Sequence, residues 1–231
     1  MMQVDPQPKR LSPLYDRHQT LGARFDLRGG WLIPDVYTNT EDEGRVLQKS
    51  IGLADISSLG KITLKGSHAG AIISASLGES PTKVGVVIDI KPKQILVAQQ
   101  TPDEFLILTP PDAEKEITTA LEVEITSQDT FVSLTDQTSG LVGFSIVGLE
   151  NIEVMRKLCA LPLNSKDFSD LHVAQSSFAK VRATILRHDR GALPAFELFA
   201  DRSYGEYLWD TILDAGSEFG IQPVGWKAME G

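Results

Sequence analysis

Glu197 sits in the segment PAFELF, between Phe196 and Leu198. A carboxylate in mostly apolar surroundings is costly unless it is paired or hydrogen-bonded. Two placements would satisfy it. It can face a cavity and accept hydrogen bonds from a ligand, or point to solvent from an alternating strand. Other chemistry-bearing residues are dispersed. His18, His68, His172 and His188 lack metal-ligand spacing with a Cys, Asp or Glu partner, so no metal site is expected. There is no G-x-S-x-G elbow, no G-x-x-x-x-G-K-[ST] loop and no G-x-G-x-x-G after a strand. Cys159 falls on an apolar helix face and reads as core. Asp55 with Ser57, and Asp136 with Thr138, have the spacing of Asx and Ser/Thr turns before strands. Asp189-Arg190-Gly191 reads as a hairpin turn. Trp31, Tyr37, Trp209 and Trp226 are aromatics for core packing or for lining a flat ligand's pocket.

The elements that must position these residues repeat along the chain. Ser12 as cap, Pro13 at the first helical position and Gly22 after the last turn predict a first helix, with Leu14, His18 and Leu21 on one face. A second helix is predicted from a Thr40/Glu43 capping box, with Val46, Leu47 and Ile51 on its apolar side and Gly52 ending it. ADISSLGKITLKG (54–66) and TDQTSGLVGFSIVG (135–148) then share an Asp, a hydroxyl residue two on, an alternating strand and a closing glycine. After each comes a helix with apolar residues at 3–4 spacing: Ala69, Ile72, Ile73 and Leu77 in one, Ile152, Met155, Leu158 and Cys159 in the other. A hairpin follows, then a strand leading into a helix. Each copy reads β-α-β-β-β-α, an α+β pattern of antiparallel strands with helices on one face. In this alignment Glu197 of the second copy pairs with Leu106 of the first.

The chain has 231 residues and a net charge of −9, spread along its length. Nothing resembles a basic stripe, so nucleic acid is not an expected partner. No apolar run reaches the roughly 18 residues of a membrane helix, and none is expected to cross a membrane. The polar, Pro-rich start from Met1 to Arg10 reads as a frayed terminus without a secretory apolar stretch. A single cysteine excludes an intrachain disulfide and fits a reducing, cytoplasmic setting.

Several of these segments, in order, resemble a known family. SPLYDRHQTLGARF, GGWLIPDVY and GLADISSLGKITLKG are similar to the N-terminal part of the glycine cleavage T-protein, an aminomethyltransferase. The match includes Pro13, Leu14, Tyr15, Gly29, Gly30, Trp31, Pro34, Tyr37, Gly52, Asp55, Ser57 and Gly60. SLTDQTSGLVGFSIVG through SYGEYLWDTILDAG is more similar to the gamma subunit of heterotetrameric sarcosine oxidase. The resemblance covers about residues 11–230 and implies the aminomethyltransferase folate-binding fold. That fold has two similar β-α-β-β-β-α subdomains, with antiparallel sheets around a central channel that holds tetrahydrofolate. Here it implies a discontinuous first subdomain, 1–60 plus 140–231, and a second, 61–139. Catalytic members usually carry a further C-terminal barrel. This chain stops at VGWKAMEG, where the barrel would begin, and so is expected to lack it.

The family also implies sites. Glu197 falls on the glutamate that holds the pterin ring, a task suited to a carboxylate because the pterin edge presents adjacent N–H donors. Phe105 and Thr109 fall on pocket-lining positions, and Leu59 replaces a pocket methionine. Anchoring on ILVAQQ puts Gln94 where catalytic members place an aspartate. Anchoring on GVVIDI offers Asp89 but puts Ile90 at the catalytic position. The Tyr-Thr-Gly-Glu segment is replaced by RGALP (Arg190 to Pro194), and an expected late arginine by Met229 or Lys227. A neutral Gln94 could hydrogen-bond but not supply the charge that one-carbon transfer needs. The resemblance therefore implies a non-catalytic or accessory subunit of a sarcosine-oxidase-type demethylating complex. Its alternatives are a tetrahydrofolate-dependent aminomethyl- or methyltransferase, and a stand-alone folate or small-molecule binding protein. The implied partners are flavin oxidase subunits or a lipoyl carrier protein.

Overall fold

The computed structural model of the protein describes residues 10–164 and 166–230, so the expected loose start lies outside them except for Arg10. The chain opens with β1 (Arg10–Leu11), α1 (Tyr15–Thr20), β2 (Arg24–Arg28), β3 (Trp31–Val36), α2 (Thr40–Lys49) and β4 (Gly52–Asp55). The first repeat unit is β5 (Gly60–Lys65), α3 (Ala69–Leu77), β6 (Val87–Ile90), β7 (Ile95–Thr101), β8 (Glu104–Thr109) and α4 (Glu114–Ser127). After β9 (Ser133–Asp136) comes the second: β10 (Leu141–Val147), α5 (Asn151–Leu158), β11 (His172–Phe178), β12 (Val181–Arg187), β13 (Ala195–Asp201) and α6 (Gly205–Gly216). β14 (Gln222–Pro223) and α7 (Trp226–Met229) follow. The order β-α-β-β-β-α thus occurs twice. Among the described residues no helix is long and apolar enough to cross a membrane.

The strands form a six-stranded sheet, β11-β12-β13-β10-β4-β14, and a five-stranded sheet, β6-β7-β8-β5-β9, with β1-β3-β2 beside them. Strand alternation gives each large sheet two apolar faces. On β13, Phe196, Leu198 and Ala200 pack outward with Trp209 and Ile212 of α6, while Ala195 and Phe199 face the other sheet. On β8, Phe105 and Ile107 pack outward with Ile72 of α3 and Leu121 of α4, while Leu106 and Leu108 face inward. The result is a sandwich of helices, sheet, sheet and helices. The inter-sheet layer holds Ala54, Ala98, Leu106, Leu186 and Phe199.

The repeated Asp-x-hydroxyl motif sits where the chain crosses from one sheet to the other, between β4 and β5 and between β9 and β10. Ser57 N donates to Asp55 Oδ1 and Thr138 N to Asp136 Oδ1, each at 2.8 Å, closing the expected turns. The hydroxyls then serve the opposite crossing. Gly143 N donates to Ser57 Oγ at 3.1 Å, and Lys61 N donates to Thr138 Oγ1 at 3.0 Å. Each turn therefore secures the strand that leaves the other turn. The closing glycines, Gly66 and Gly148, have φ of +151° and +140°, a conformation that a β-carbon disfavours.

The helix starts differ from expectation. Leu14 N donates to Ser12 Oγ, but the same hydroxyl donates to Asp55, and α1 carries no side-chain cap at its own N-cap position. Leu21 is exposed rather than packed with Leu14 and His18. The cap of α2 is Asn39, whose Oδ1 accepts from Asp42 N at 2.9 Å, one residue before the expected Thr40. Glu43 is buried and accepts from Tyr37 N, Thr38 N and, at 2.7 Å, Gly225 N. A residue with the spacing of a local cap instead ties the end of the chain to α2. Lys49 is the last helical residue, and Gly52 belongs to β4.

Candidate functional site

Two cavities open at the inter-sheet seam, and strand register shows that they are counterparts. In the five-stranded sheet Asp89 lies opposite Leu96, and Leu96 opposite Leu108. In the six-stranded sheet the same row is Gln175, Thr184 and Phe199. One row further along, Ala98 faces Leu106 and Leu186 faces Glu197. A cavity of about 710 Å³ is lined by Asp89, Leu96 and Leu108 from one sheet and by His188 and Glu197 from the other. A second, of about 490 Å³, is lined by Gln175, Thr184 and Phe199 with Gln100 and Leu106. The first cavity thus has Asp89, His188 and Glu197 where the second has Gln175, Gln100 and Leu106.

The polar groups of the second cavity satisfy one another. Gln175 Nε2 donates to Gln100 Oε1 at 3.0 Å, and Gln100 Nε2 donates to Thr184 Oγ1 at 2.9 Å. In the first cavity they do not. Glu197 is 3% exposed, yet its Oε2 has no hydrogen-bond partner, and neither has the buried Nε of Arg190. Arg190 Nη2 stands 3.5 Å from Glu197 Oε1, so the two unpartnered atoms belong to neighbouring side chains of opposite charge. Buried polar atoms left unpaired cost free energy, which sets this cavity apart from the second one. The larger cavity is the candidate site.

Its walls come from distant parts of the chain. Glu197 faces inward because β13 alternates and Phe196 and Leu198 are taken by the outer core. Leu59 and Ile56 come from the first crossing, Gln94 from the β6–β7 turn, and Thr109 to Pro111 from the end of β8. Arg28 and Gly29 reach over from the β2–β3 turn, and Trp226, Met229 and Glu230 close the other side. Gly29 has φ of +53° and packs against Pro111 too closely for a β-carbon. The Glu197 carboxylate, 3.9 Å from the ring Nδ1, raises the pKa of His188 above its ordinary value; burial opposes this, Asp89 adds to it and Arg190 subtracts. Among the described residues no group of three or more His, Cys, Asp or Glu side chains is gathered to hold a metal ion.

Four of the expected site residues, Glu197, Leu59, Thr109 and Gln94, meet in this cavity. Gln94 gets there through a left-handed turn at φ +54°. Phe105 does not line it. It belongs to the outward set of β8 and packs under α3, because alternation gives the inward face to Leu106 and Leu108. Of the two substitutes for the late arginine, Met229 lines the cavity, while Lys227 pairs with Asp35 at 2.7 Å. Asp89, offered by the second alignment, is in the wall. His188 and Arg190 were not singled out as site residues. The available signal was their position two and four residues beyond Leu186, the strand partner of Glu197. Trp226 lines the cavity, whereas Trp31 and Trp209 are buried core.

The chain is 27% identical over 234 residues to the aminomethyltransferase of Mycobacterium avium (strain 104), across 94% of this chain and 60% of that protein. It is 23% identical over 233 residues to that of Desulfitobacterium hafniense (strain DSM 10664 / DCB-2), across 95% and 62%. It therefore spans about three fifths of the curated relatives' length. Its fold is that of glycine cleavage system aminomethyltransferase T from Bartonella henselae (TM-score 0.78, 18% identity, 95% of this chain and 60% of that one). It is also that of a chain of heterotetrameric sarcosine oxidase from Corynebacterium sp. U-96 (TM-score 0.70, 18% identity, 93% and 98%). The model of the GCVT N-terminal domain matches residues 14–231, and the chain belongs to that family.

Proposed function

We propose that this protein binds a tetrahydrofolate-type cofactor in the larger inter-sheet cavity and acts as a non-catalytic or accessory subunit of a sarcosine-oxidase-type demethylating complex. One observation carries the binding claim: Glu197 Oε2 and Arg190 Nε are buried and without partners, on side chains whose charged ends stand 3.5 Å apart. A pterin edge offers N–H donors beside an acceptor and would occupy both. The volume lies in the ordinary range for small-molecule sites, and Ile56, Leu59, Leu96 and Leu108 supply apolar walls for a flat ring. When bound, the cofactor supplies the nitrogen that accepts a one-carbon unit; the protein residues hold and orient it. The accessory role is supported by likeness in fold to a sarcosine oxidase chain. On this reading the two halves are 1–60 plus 140–231 and 61–139, the setting is cytoplasmic, and the partners are flavin oxidase subunits or a lipoyl carrier protein.

Calorimetry with tetrahydrofolate tests the binding claim. Wild type is expected to bind, and Glu197→Gln to bind at least about tenfold more weakly, since a hydrogen bond to a charged group contributes about 1.5–3 kcal/mol. No heat with wild type sinks the cofactor assignment; equal binding by the variant clears Glu197. Purification from the native cell tests the role, and a chain recovered alone counts against an accessory subunit. A second reading, a tetrahydrofolate-dependent aminomethyl- or methyltransferase, is favoured by Asp89, a carboxylate in the cavity wall that Gln94 does not provide.

A further inference from the structure

At three equivalent positions the larger cavity has a titratable side chain where the smaller has none: Asp89 for Gln175, His188 for Gln100, and Glu197 for Leu106. The three come together in space from two sheets. Asp89 is on β6 of the five-stranded sheet and Glu197 on β13 of the six-stranded sheet, with His188 just past β12 between them. His188 Nε2 is 3.8 Å from Asp89 Oδ2, and its Nδ1 is 3.9 Å from Glu197 Oε1. Both gaps are ion-pair distances that leave the ring nitrogens uncommitted to a hydrogen bond. The Glu197 side chain is nearly sealed, while that of His188 is 27% exposed at the cavity wall. An imidazole between two carboxylates, one side open to a cavity, is placed to move a proton rather than to fill space.

We propose that Asp89, His188 and Glu197 form a proton-exchanging unit, in which His188 passes a proton to or from a ligand nitrogen seated against Glu197 and Asp89 positions the ring. In the donating direction the His188 Nδ1–H bond breaks as a new N–H bond forms on the ligand lone pair. The ring is left neutral, with its remaining proton on Nε2 toward Asp89. The reverse step restores the imidazolium, and no other reactant is needed. The charged groups facing the ring are Asp89 and Glu197, which favour its protonated form, and Arg190, which opposes it. Arg28, Lys91 and Glu230 stand elsewhere around the wall. His188 would touch the ligand; Asp89 acts through His188 and is a positioning residue. The proposal rests on the larger cavity being the ligand site, but its first test needs no ligand.

That test is an NMR titration of the histidine Cε1–H resonances in the full chain. The His188 midpoint is expected to lie above the ordinary value of 6.5, to fall in Glu197→Gln, and to fall by less in Asp89→Asn. A midpoint indifferent to both isosteric variants overturns the unit. The second test is calorimetry with 5-formyltetrahydrofolate at pH 7 in two buffers of different ionisation heat. Wild type is expected to exchange a fraction of a proton on binding. His188→Gln is expected to bind with that exchange lost, and the same exchange in the variant overturns the role of His188. Absence of binding by wild type sinks the cofactor reading alone, and the ligand-free titration then decides the proton-exchanging unit.

Discussion

At the residue scale, each buried charge has a different answer to the cost of leaving water. Asp55 is almost fully buried, and burial alone would raise its pKa. Hydrogen bonds from His18 and Ser12, and from the turn at Ser57, hold it below the ordinary carboxylate value instead. His18 Nε2 is 2.8 Å from Asp55 Oδ2, and the Tyr37 hydroxyl is 2.8 Å from His18 Nδ1. Removing one member of such a buried pair costs about 3–5 kcal/mol, so Asp55→Asn is expected to lower urea stability at pH 7 by about that amount. A depressed folded pKa contributes stability that is full above the unfolded value of about 3.8 and is lost as pH falls through the folded value. The gap between wild type and variant should therefore close only in strong acid. A gap that closes near neutrality would show that Asp55 is not the group responsible. Glu197 leaves the same cost unmet, its buried Oε2 having no hydrogen-bond partner in the protein. Its spacing left two placements open, and the outward packing of Phe196 and Leu198 chose between them.

At the element scale, the two crossings hold each other. Ser57→Ala leaves the buried Gly143 N–H without its acceptor, and Thr138→Ala does the same to Lys61 N–H. Each is expected to cost about 1–3 kcal/mol, the penalty of an unmet buried donor. Hydrogen exchange should quicken at Gly143 in the first variant and at Lys61 in the second. Quickening confined to the mutated turn itself would refute the reciprocal arrangement. The Asp-x-hydroxyl spacing was legible as a turn because the turn is local. That the hydroxyls serve the opposite copy was not legible, since those partners are brought together by pairing of β4 with β10 and of β5 with β9. The helix caps show the same limit. Glu43 had the spacing to cap α2, but Gly225, distant in sequence, shares its carboxylate.

At the scale of the whole molecule, Lys61 lies at the first crossing with no exposure, its Nζ donating to Ser57 O at 2.8 Å and Leu59 O at 2.7 Å. Burial lowers its pKa from 10.5 to about 7 against the pull of Asp55, Asp136 and Glu114. Between these values the unfolded chain binds more protons than the folded one, so this group makes stability rise with pH across that window and adds no slope below it. Global unfolding in urea should gain about 2 kcal/mol from Lys61 between pH 7 and 9. Lys61→Met should flatten that rise, and an unchanged slope in the variant would refute the assignment.

The amino-acid order by itself determined the duplicated β-α-β-β-β-α order, the turns after Asp55 and Asp136, and the closing glycines Gly66 and Gly148. These follow from side-chain periodicity and backbone φ within a few residues. It also marked Glu197, through resemblance to a family rather than through spacing. Tertiary structure decided which cavity has unpaired polar groups, that Phe105 belongs to the outer core, and that Asp89 and His188 stand beside Glu197. Those outcomes depend on which strand faces meet across two sheets, and on contacts between residues far apart in the chain. A one-residue change of face reverses them, and no local pattern records that choice.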